Sequence, residues 1–356
     1  MTKQNQYRVI AAAFFGVLWL GFAGTWLGWG QFNAANERRA LAPFPRFDRT
    51  FPEGLGLYLR DHFGFRGGLV TVNALLRAKL LHTSTTPDVL MGEEGFLFFA
   101  GEGALENYMG LKPMSDCEVN AWVSLFIRRA GLVHVPFVLV VVPNKETVYP
   151  EMMPAGFLRG VGKSRMDRVV AALSGRMQVV DLRSVLINKK ALHRTYYLTD
   201  THWSQWGAFW AYREMLPFLD KTAKPLAVAG LTRGIVEQTL DLNRMLGLNG
   251  FAAERAETFE PPAASNLVGH QDGPLMTIEG APGKRLVFFR DSFGAALLPF
   301  LAAHFSRVYA PNGWTFDAAV VERERPDVVV VEIVERRFTA PLPVDPGGAP
   351  QFCPGR

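Results

Sequence analysis

Two runs in this chain are apolar at odd and even positions alike. Residues 135–142 read Val-Pro-Phe-Val-Leu-Val-Val-Val, and residues 327–334 read Asp-Val-Val-Val-Val-Glu-Ile-Val. Successive side chains of a strand point to opposite faces, so such a run must be covered on both sides. Their length and β-branched content suit strands rather than helices. Shorter strand-like runs follow the same logic at 177–182, 285–289 and 306–310, with helical patterns at 163–174, 204–219 and 293–304 between them. Alternating strands and helices predict an α/β domain, a mostly parallel sheet with helices on both faces. Ser115 with Glu118 makes a capping box for a helix reaching Ala130 and ended by Gly131, and Ser204 is placed to cap the helix after it. Residues 221–284 are too long for a structureless loop. They suit a hairpin or helical lid, or a solvated excursion; the excursion is the expectation.

Ligands of open α/β sheets bind at the C-terminal ends of the strands. Three chemically able groups fall there or in the loops that follow: Asn144, the Asp200-Thr201-His202 run, and Ser292 in Arg290-Asp291-Ser292-Phe293. Serine supplies a nucleophilic oxygen, histidine takes its proton, and a carboxylate holds the imidazole in the required tautomer. Asp200 and His202 lie two apart and can point the same way from an extended loop. Ser292 stands at a strand-to-helix turn, where backbone N–H groups can meet a developing oxyanion. Trp203 is a candidate to stack on a ring of the substrate, whereas Trp206 and Trp210 read as packing between helix and sheet. Glu332, Glu335 and Arg336 read as solvated. The histidines outside this run match no metal-ligand spacing, and no metal or cofactor is expected.

The chain has 38 basic and 33 acidic residues, a net charge of +5. It has no zinc-finger spacing or dense basic helix, so nucleic acid is not an expected partner. Lys3 and Arg8 precede an uncharged run over 9–30, long enough to span a bilayer, with Trp19, Trp26 and Trp29 toward its far end. The reading is an uncleaved inner-membrane anchor with a cytoplasmic N-terminus and the body in the periplasm. The expected division is 1–30 cytoplasmic tip and anchor, 31–54 linker, 55–340 the α/β domain with 221–284 as insertion, and 341–356 a disordered Pro/Gly-rich tail. Cys117 and Cys353 could pair in an exported protein, but their separation and the tail's composition favour no disulfide.

The Tyr-Leu-Thr-Asp-Thr-His-Trp run at 197–203 resembles the signature of the SGNH hydrolase-like domain of alginate O-acetylation proteins, the AlgX/AlgJ type. So do Asn36-Glu37-Arg38-Arg39-Ala40-Leu41-Ala42-Pro43-Phe44-Pro45, Asp61-His62-Phe63-Gly64-Phe65-Arg66, Gly92-Glu93-Glu94-Gly95-Phe96-Leu97-Phe98 and Pro143-Asn144-Lys145-Glu146-Thr147-Val148-Tyr149-Pro150. The 241–246 segment, Arg290-Asp291-Ser292-Phe293 and Pro326-Asp327-Val328-Val329 complete the pattern. The resemblance implies a three-layer α/β/α SGNH hydrolase-like domain with permuted catalytic order, Asp and His before Ser, preceded by one N-terminal transmembrane helix. It implies Ser292 as nucleophile, His202 as general base and Asp200 as orienting carboxylate. Asn144, with Lys145, Arg290 and Trp203, is a candidate for the oxyanion hole or substrate contacts. Many relatives have glycine where this chain has Arg290. The implied activity is transfer of acetyl groups to an exported polysaccharide such as alginate, with a membrane-bound O-acyltransferase as donor partner. A carbohydrate acetyl esterase and a non-catalytic polysaccharide-binding subunit are the alternatives. Net charge does not choose between an anionic and a neutral polymer.

Overall fold

The computed structural model describes residues 3–28, 40–261, 268–272, 275–280, 282–346 and 353. The chain divides into two compact units, one of residues 1–89 and 239–253, the other of residues 90–238 and 254–356. Residues 55–88, grouped in the sequence with the α/β domain, thus fall with the N-terminal helix.

In the first unit, the helix Lys3–Leu27 contains the segment Gln4–Thr25, of mean hydropathy 1.6 and long enough to cross a membrane. Near its C-terminal end Gly21 and Gly24 leave room for another backbone. The Gly64 N–H donates to the Gly21 carbonyl at 3.1 Å and to Thr25 Oγ1 at 3.2 Å. A Cβ on Gly64 would stand 2.6 Å from the Gly24 Cα, so the contact requires glycine. Two helices follow, Phe51–His62 and Arg66–Leu75, the latter running on through a wide π turn, Leu76–Leu80. Asp61 is buried and accepts the Ala42 N–H at 3.0 Å. Residues 36–39 of the motif lie outside the described residues.

The second unit carries the sheet. A small pair, β1 (Val89–Met91) and β2 (Leu97–Phe99), comes first. Then follow β3 (Phe137–Val142), β4 (Gln178–Asp181), β5 (Thr232–Gln238), β6 (Glu254–Glu260), β7 (Val268–Asp272), β8 (Leu275–Glu279), β9 (Lys284–Phe289), β10 (Phe305–Pro311) and β11 (Val328–Val334). Seven of them form one sheet in the order β4-β3-β11-β9-β10-β8-β7. The pairs from β4 to β10 are parallel, and β8 and β7 add antiparallel strands at one edge. The two apolar runs, β3 and β11, are direct neighbours and buried along their whole length. One core layer packs the helix Gln205–Leu219 on one face, the other packs Asp116–Gly131 and Arg165–Leu173 on the opposite face. This is the three-layer SGNH-like α/β arrangement with a mixed sheet.

The predicted capping box is present: Ser115 Oγ accepts the Glu118 N–H at 3.2 Å, and the Glu118 carboxylate accepts the Ser115 N–H at 2.8 Å. Such a cap contributes about 1 kcal/mol. Residues 221–284 are not a solvated excursion. They contain the antiparallel β5–β6 pair, a short helix Asp241–Met245 that belongs to the first unit, and the β7–β8 hairpin that widens the main sheet.

Of the expected C-terminal tail, residues 347–352 and 354–356 lie outside the described residues, and residues 341–346 and 353 are described. Cys353 is bonded to Cys117 at the start of the helix Asp116–Gly131, with Cα atoms 5.8 Å apart. Asp345 is buried and takes Arg129 Nε at 2.9 Å and the Phe316 N–H at 3.1 Å. A buried ion pair and a covalent bond hold a segment whose Pro/Gly composition gives it no periodicity. The disulfide closes a loop of 236 residues, and such closures contribute about 2–4 kcal/mol. Replacing Cys117 and Cys353 together by serine is expected to lower the thermal midpoint by about 3–7 °C, read by circular dichroism with and without reductant. Equal midpoints for the variant and the oxidised wild type would refute this.

Candidate active site

The loop before the helix Gln205–Leu219 is a tight hairpin. Tyr196 bridges Trp203 antiparallel, and the Ser204 N–H donates to the Thr195 carbonyl at 2.9 Å. Gly207 lets the helix close on the base of this hairpin, because a Cβ there would meet the Thr195 carbonyl oxygen at 2.1 Å. The tip presents Asp200 and His202. Asp200 Oδ1 takes the His202 N–H at 2.9 Å and lies 2.6 Å from His202 Nδ1. His202 Nε2 lies 2.8 Å from Ser292 Oγ. An ionised carboxylate only accepts, which assigns the ring proton to Nδ1 and leaves Nε2 to accept from the serine.

Two charged residues fix the hairpin tip. Lys145 is buried, and its Nζ donates to the carbonyls of Leu97 and Leu198 at 2.7 Å and of Asp200 at 3.0 Å. The Glu254 carboxylate accepts the N–H groups of Leu198 and Thr199 and the Thr199 hydroxyl, each at 2.9 Å, and Arg194 at 3.1 Å. The backbone on either side of Asp200 is thus held by a cation on its carbonyls and an anion on its amides.

The serine arrives from the other direction. β9 ends at Phe289, and Asp291 staples the turn to β11. Its Oδ1 accepts the Phe293 N–H at 2.9 Å, its Oδ2 the Val334 N–H at 3.0 Å, and its own N–H donates to Glu332 Oε2 at 3.0 Å. Ser292 is exposed and opens a 3-10 turn, Phe293–Leu297, which hands over to the helix Leu298–Ala302. Among the described residues the Ser292 N–H makes no hydrogen bond, as suits an oxyanion donor.

The predicted site residues sort into two groups. Asp200, His202 and Ser292 come together in one hydrogen-bonded line. Trp203 does not face solvent: it is 1 % exposed and meets Phe293 edge-on at 5.5 Å, so it packs the hairpin and cannot stack on a sugar. Arg290 is 6 % exposed, with Nη1 on the Asp291 carbonyl, and is likewise no substrate contact. Its backbone is not left-handed, so the position does not require glycine; instead Gly294 gives the room, since a Cβ there would lie 2.6 Å from Arg290 Cβ. Lys145 spends its donors on the backbone carbonyls. Asn144 is buried, with Nδ2 on Glu146 Oε1 at 2.8 Å and Oδ1 taking the Arg336 N–H at 3.3 Å.

Glu332, Glu335 and Arg336 are not solvated. Both glutamates are buried, and Glu335 Oε2 accepts the Asn144 N–H at 2.9 Å and the Thr147 hydroxyl at 2.7 Å. The Arg336 guanidinium lies 5.4 Å from the Phe293 ring, which also meets the His202 imidazole at 4.7 Å. It therefore sits near the nucleophile's turn. Its place directly after β11 was the available signal; Glu254 had none.

Burial, and then the charge of Glu335, pushes the Glu146 carboxyl up to about 7. Burial also raises Glu335, and raises Glu332 well above the usual range with Asp291 adding to it. Glu146 in the folded protein keeps a proton that the unfolded chain loses near 4.5. Its contribution to stability is full below about 4.5 and is lost as pH rises through 7, about 3 kcal/mol in all. Glu146→Gln is expected to remove this slope, so its urea midpoint should exceed that of the wild type at pH 8 but not at pH 4.5. A difference between the two proteins that does not change with pH would refute it.

The family model described as the SGNH hydrolase-like domain of the acetyltransferase AlgX matches residues 89–272, just over half of the 356-residue chain. The structure of Bacillus cereus PatB1 with a sulfonyl adduct superposes with a TM-score of 0.52 at 16% identity, covering 70% of this chain and 95% of that one. The O-acetyltransferase domain of Pseudomonas putida AlgJ gives 0.48 at 20% identity, covering 72% and 93%. Pseudomonas aeruginosa AlgX gives 0.46 at 14%, covering 70% and 66%. No curated protein matches the sequence.

Proposed function

The chain belongs to the AlgX-type SGNH hydrolase-like acetyltransferase family, and from that premise we propose that it is an O-acetyltransferase acting on hydroxyls of an exported polysaccharide through Ser292. The observation that carries the proposal is the line Asp200–His202–Ser292, with spacings of 2.6 and 2.8 Å. In the first half-reaction His202 Nε2 takes the Ser292 proton as Oγ attacks the acetyl carbonyl. The tetrahedral adduct collapses, the donor's oxygen or sulfur leaves with the proton from His202, and acetyl-serine remains. In the second, a sugar hydroxyl gives its proton to His202 while attacking the ester, and the Ser292 oxygen leaves and is reprotonated. Asp200 stays ionised and holds the imidazole. The Ser292 N–H is the oxyanion donor we assign, with the Arg336 guanidinium, 5.4 Å from the ring of the neighbouring Phe293, as the side chain to assist it.

The N-terminal helix anchors the protein in the inner membrane, with the second unit on the periplasmic side. The disulfide supports an oxidising compartment. The acetyl donor reaches the site from a membrane-bound O-acyltransferase partner, and the acceptor is alginate or a similar exopolysaccharide.

The test uses the full-length protein in detergent, a soluble acetyl ester as donor, and defined oligosaccharides. Acetylated sugar in the mass spectrum is the expected product. Acetate release alone, unchanged by acceptor, would make the protein an esterase. A sulfonyl fluoride probe should label the wild type and not Ser292→Ala; labelling of neither would leave a non-catalytic subunit.

A further inference from the structure

The first unit carries an apolar stripe that its own fold does not use. Leu69, Val72, Leu76 and Leu80 are spaced by three, four and four residues along the helix Arg66–Leu75 and its π-turn extension, and so share one face. Each is more than half exposed, at 53, 54, 51 and 71 %. Phe65, one turn before, extends the stripe at 43 %. In the same unit Phe47 is 85 % exposed and stacks on Phe51 at 4.7 Å. An open apolar groove lies between the two helices, walled by Leu59, Phe63, Leu69 and Val70. Arg46, Arg49, Arg77 and Lys79 are exposed in this segment.

A water-soluble surface does not keep such a stripe beside stacked exposed aromatics without an occupant. Its position in the unit says which. The loop Phe63–Phe65 that begins the stripe is the segment whose Gly64 N–H bonds the end of the apolar helix Lys3–Leu27. A helix that lies at the end of a span, apolar on one face and basic beside it, meets the lipid interface. We infer that residues 44–81 form an interfacial platform: the Leu69–Leu80 face sinks into the acyl boundary of the periplasmic leaflet and the arginines and Lys79 pair with headgroup phosphates. The inference rests on the membrane reading of the N-terminal helix. The span would then serve as more than a tether, because the platform fixes the first unit to the bilayer plane.

The test places single nitroxide labels by Leu76→Cys and Leu80→Cys in the full-length protein, in vesicles of phosphatidylethanolamine and phosphatidylglycerol. The native disulfide leaves no other thiol. Phe14→Cys reports the anchor and Arg176→Cys an aqueous surface, and all four positions are exposed, so labelling leaves the fold intact. The inference expects collision with oxygen relative to a water-soluble nickel chelate to be several-fold higher at Leu76 and Leu80 than at Arg176, at a depth of about 5–10 Å. Values equal to Arg176 would overturn it. Shielding from both reagents would overturn it as well, since a protein then covers the stripe. A label at Phe14 outside the bilayer would instead refute the anchor, and this inference with it.

Discussion

Ser292→Ala is expected to lower acetyl transfer by about 10⁴-fold or more, and His202→Ala by a similar factor. The residues act as one unit, so the double variant should lose no more than either alone. Asp200→Asn keeps the geometry but lets the imidazole take the wrong tautomer, and should cost about 10²–10⁴-fold. The serine is exposed and its hydroxyl is bonded to a histidine, so its loss should leave the thermal midpoint within the range of a surface change. The readout is acetylated oligosaccharide by mass spectrometry, with the midpoint as control. Transfer within tenfold of wild type by folded Ser292→Ala would end the mechanism.

Lys145→Met is expected to produce the largest loss of stability at the site. The substitution keeps the apolar stem between Phe96 and Phe98, which lie 5.4 and 5.5 Å from the ammonium. It removes the donor shared by the carbonyls of Leu97, Leu198 and Asp200. The Leu198 carbonyl keeps the Leu97 N–H at 2.8 Å; the other two lose this donor, buried polar groups left without a partner cost about 1–3 kcal/mol each, and with partial relaxation a net loss of about 2 kcal/mol is expected. Activity should fall beyond the loss of folded protein, because the Asp200 backbone is released. Lys145→Arg should not restore it, since a planar fork cannot converge on three carbonyls arranged around a point charge. Urea unfolding and transfer at saturating donor measure the two effects. A midpoint close to wild type would show that the carbonyls have other donors.

The parts of this protein that were legible in the sequence are those governed by local chemistry. The runs at β3 and β11, the Ser115–Glu118 box and the Ser204 cap all follow from neighbours a few residues apart. The Asp200–His202 pair and Ser292 were legible because strand ends mark the edge where ligands bind. What was not legible depends on distant partners. Glu254 holds the hairpin tip from more than fifty residues away, and nothing in its flanking sequence announces that. β7 and β8 are polar enough to pass for a solvated stretch, because an edge hairpin needs to bury only one face. Trp203 followed the histidine and invited a functional reading; in the fold its position on the hairpin points it inward at Phe293. Asp345 and Cys353 gave no periodic signal, since a buried ion pair and a disulfide hold them rather than a packed face.

The strand order has a consequence for how such a chain comes into being. β11, the last strand to be made, lies between β3 and β9, and among the described strands it is the one that bonds to both. As the chain is delivered N-terminus first, Asp200 and His202 emerge about ninety residues ahead of Ser292, and even then β9 has no partner that joins it to the earlier β3–β4 pair. The sheet stays in two pieces until residue 334 is out. The line Asp200–His202–Ser292 is therefore not assembled until then, and a chain truncated before β11 is expected to be unfolded and open to proteolysis rather than a weakened form of the protein. A long-range parallel closure of this kind is slow, and Cys353, nineteen residues beyond the end of β11, is available to Cys117 only once the whole sheet has been made.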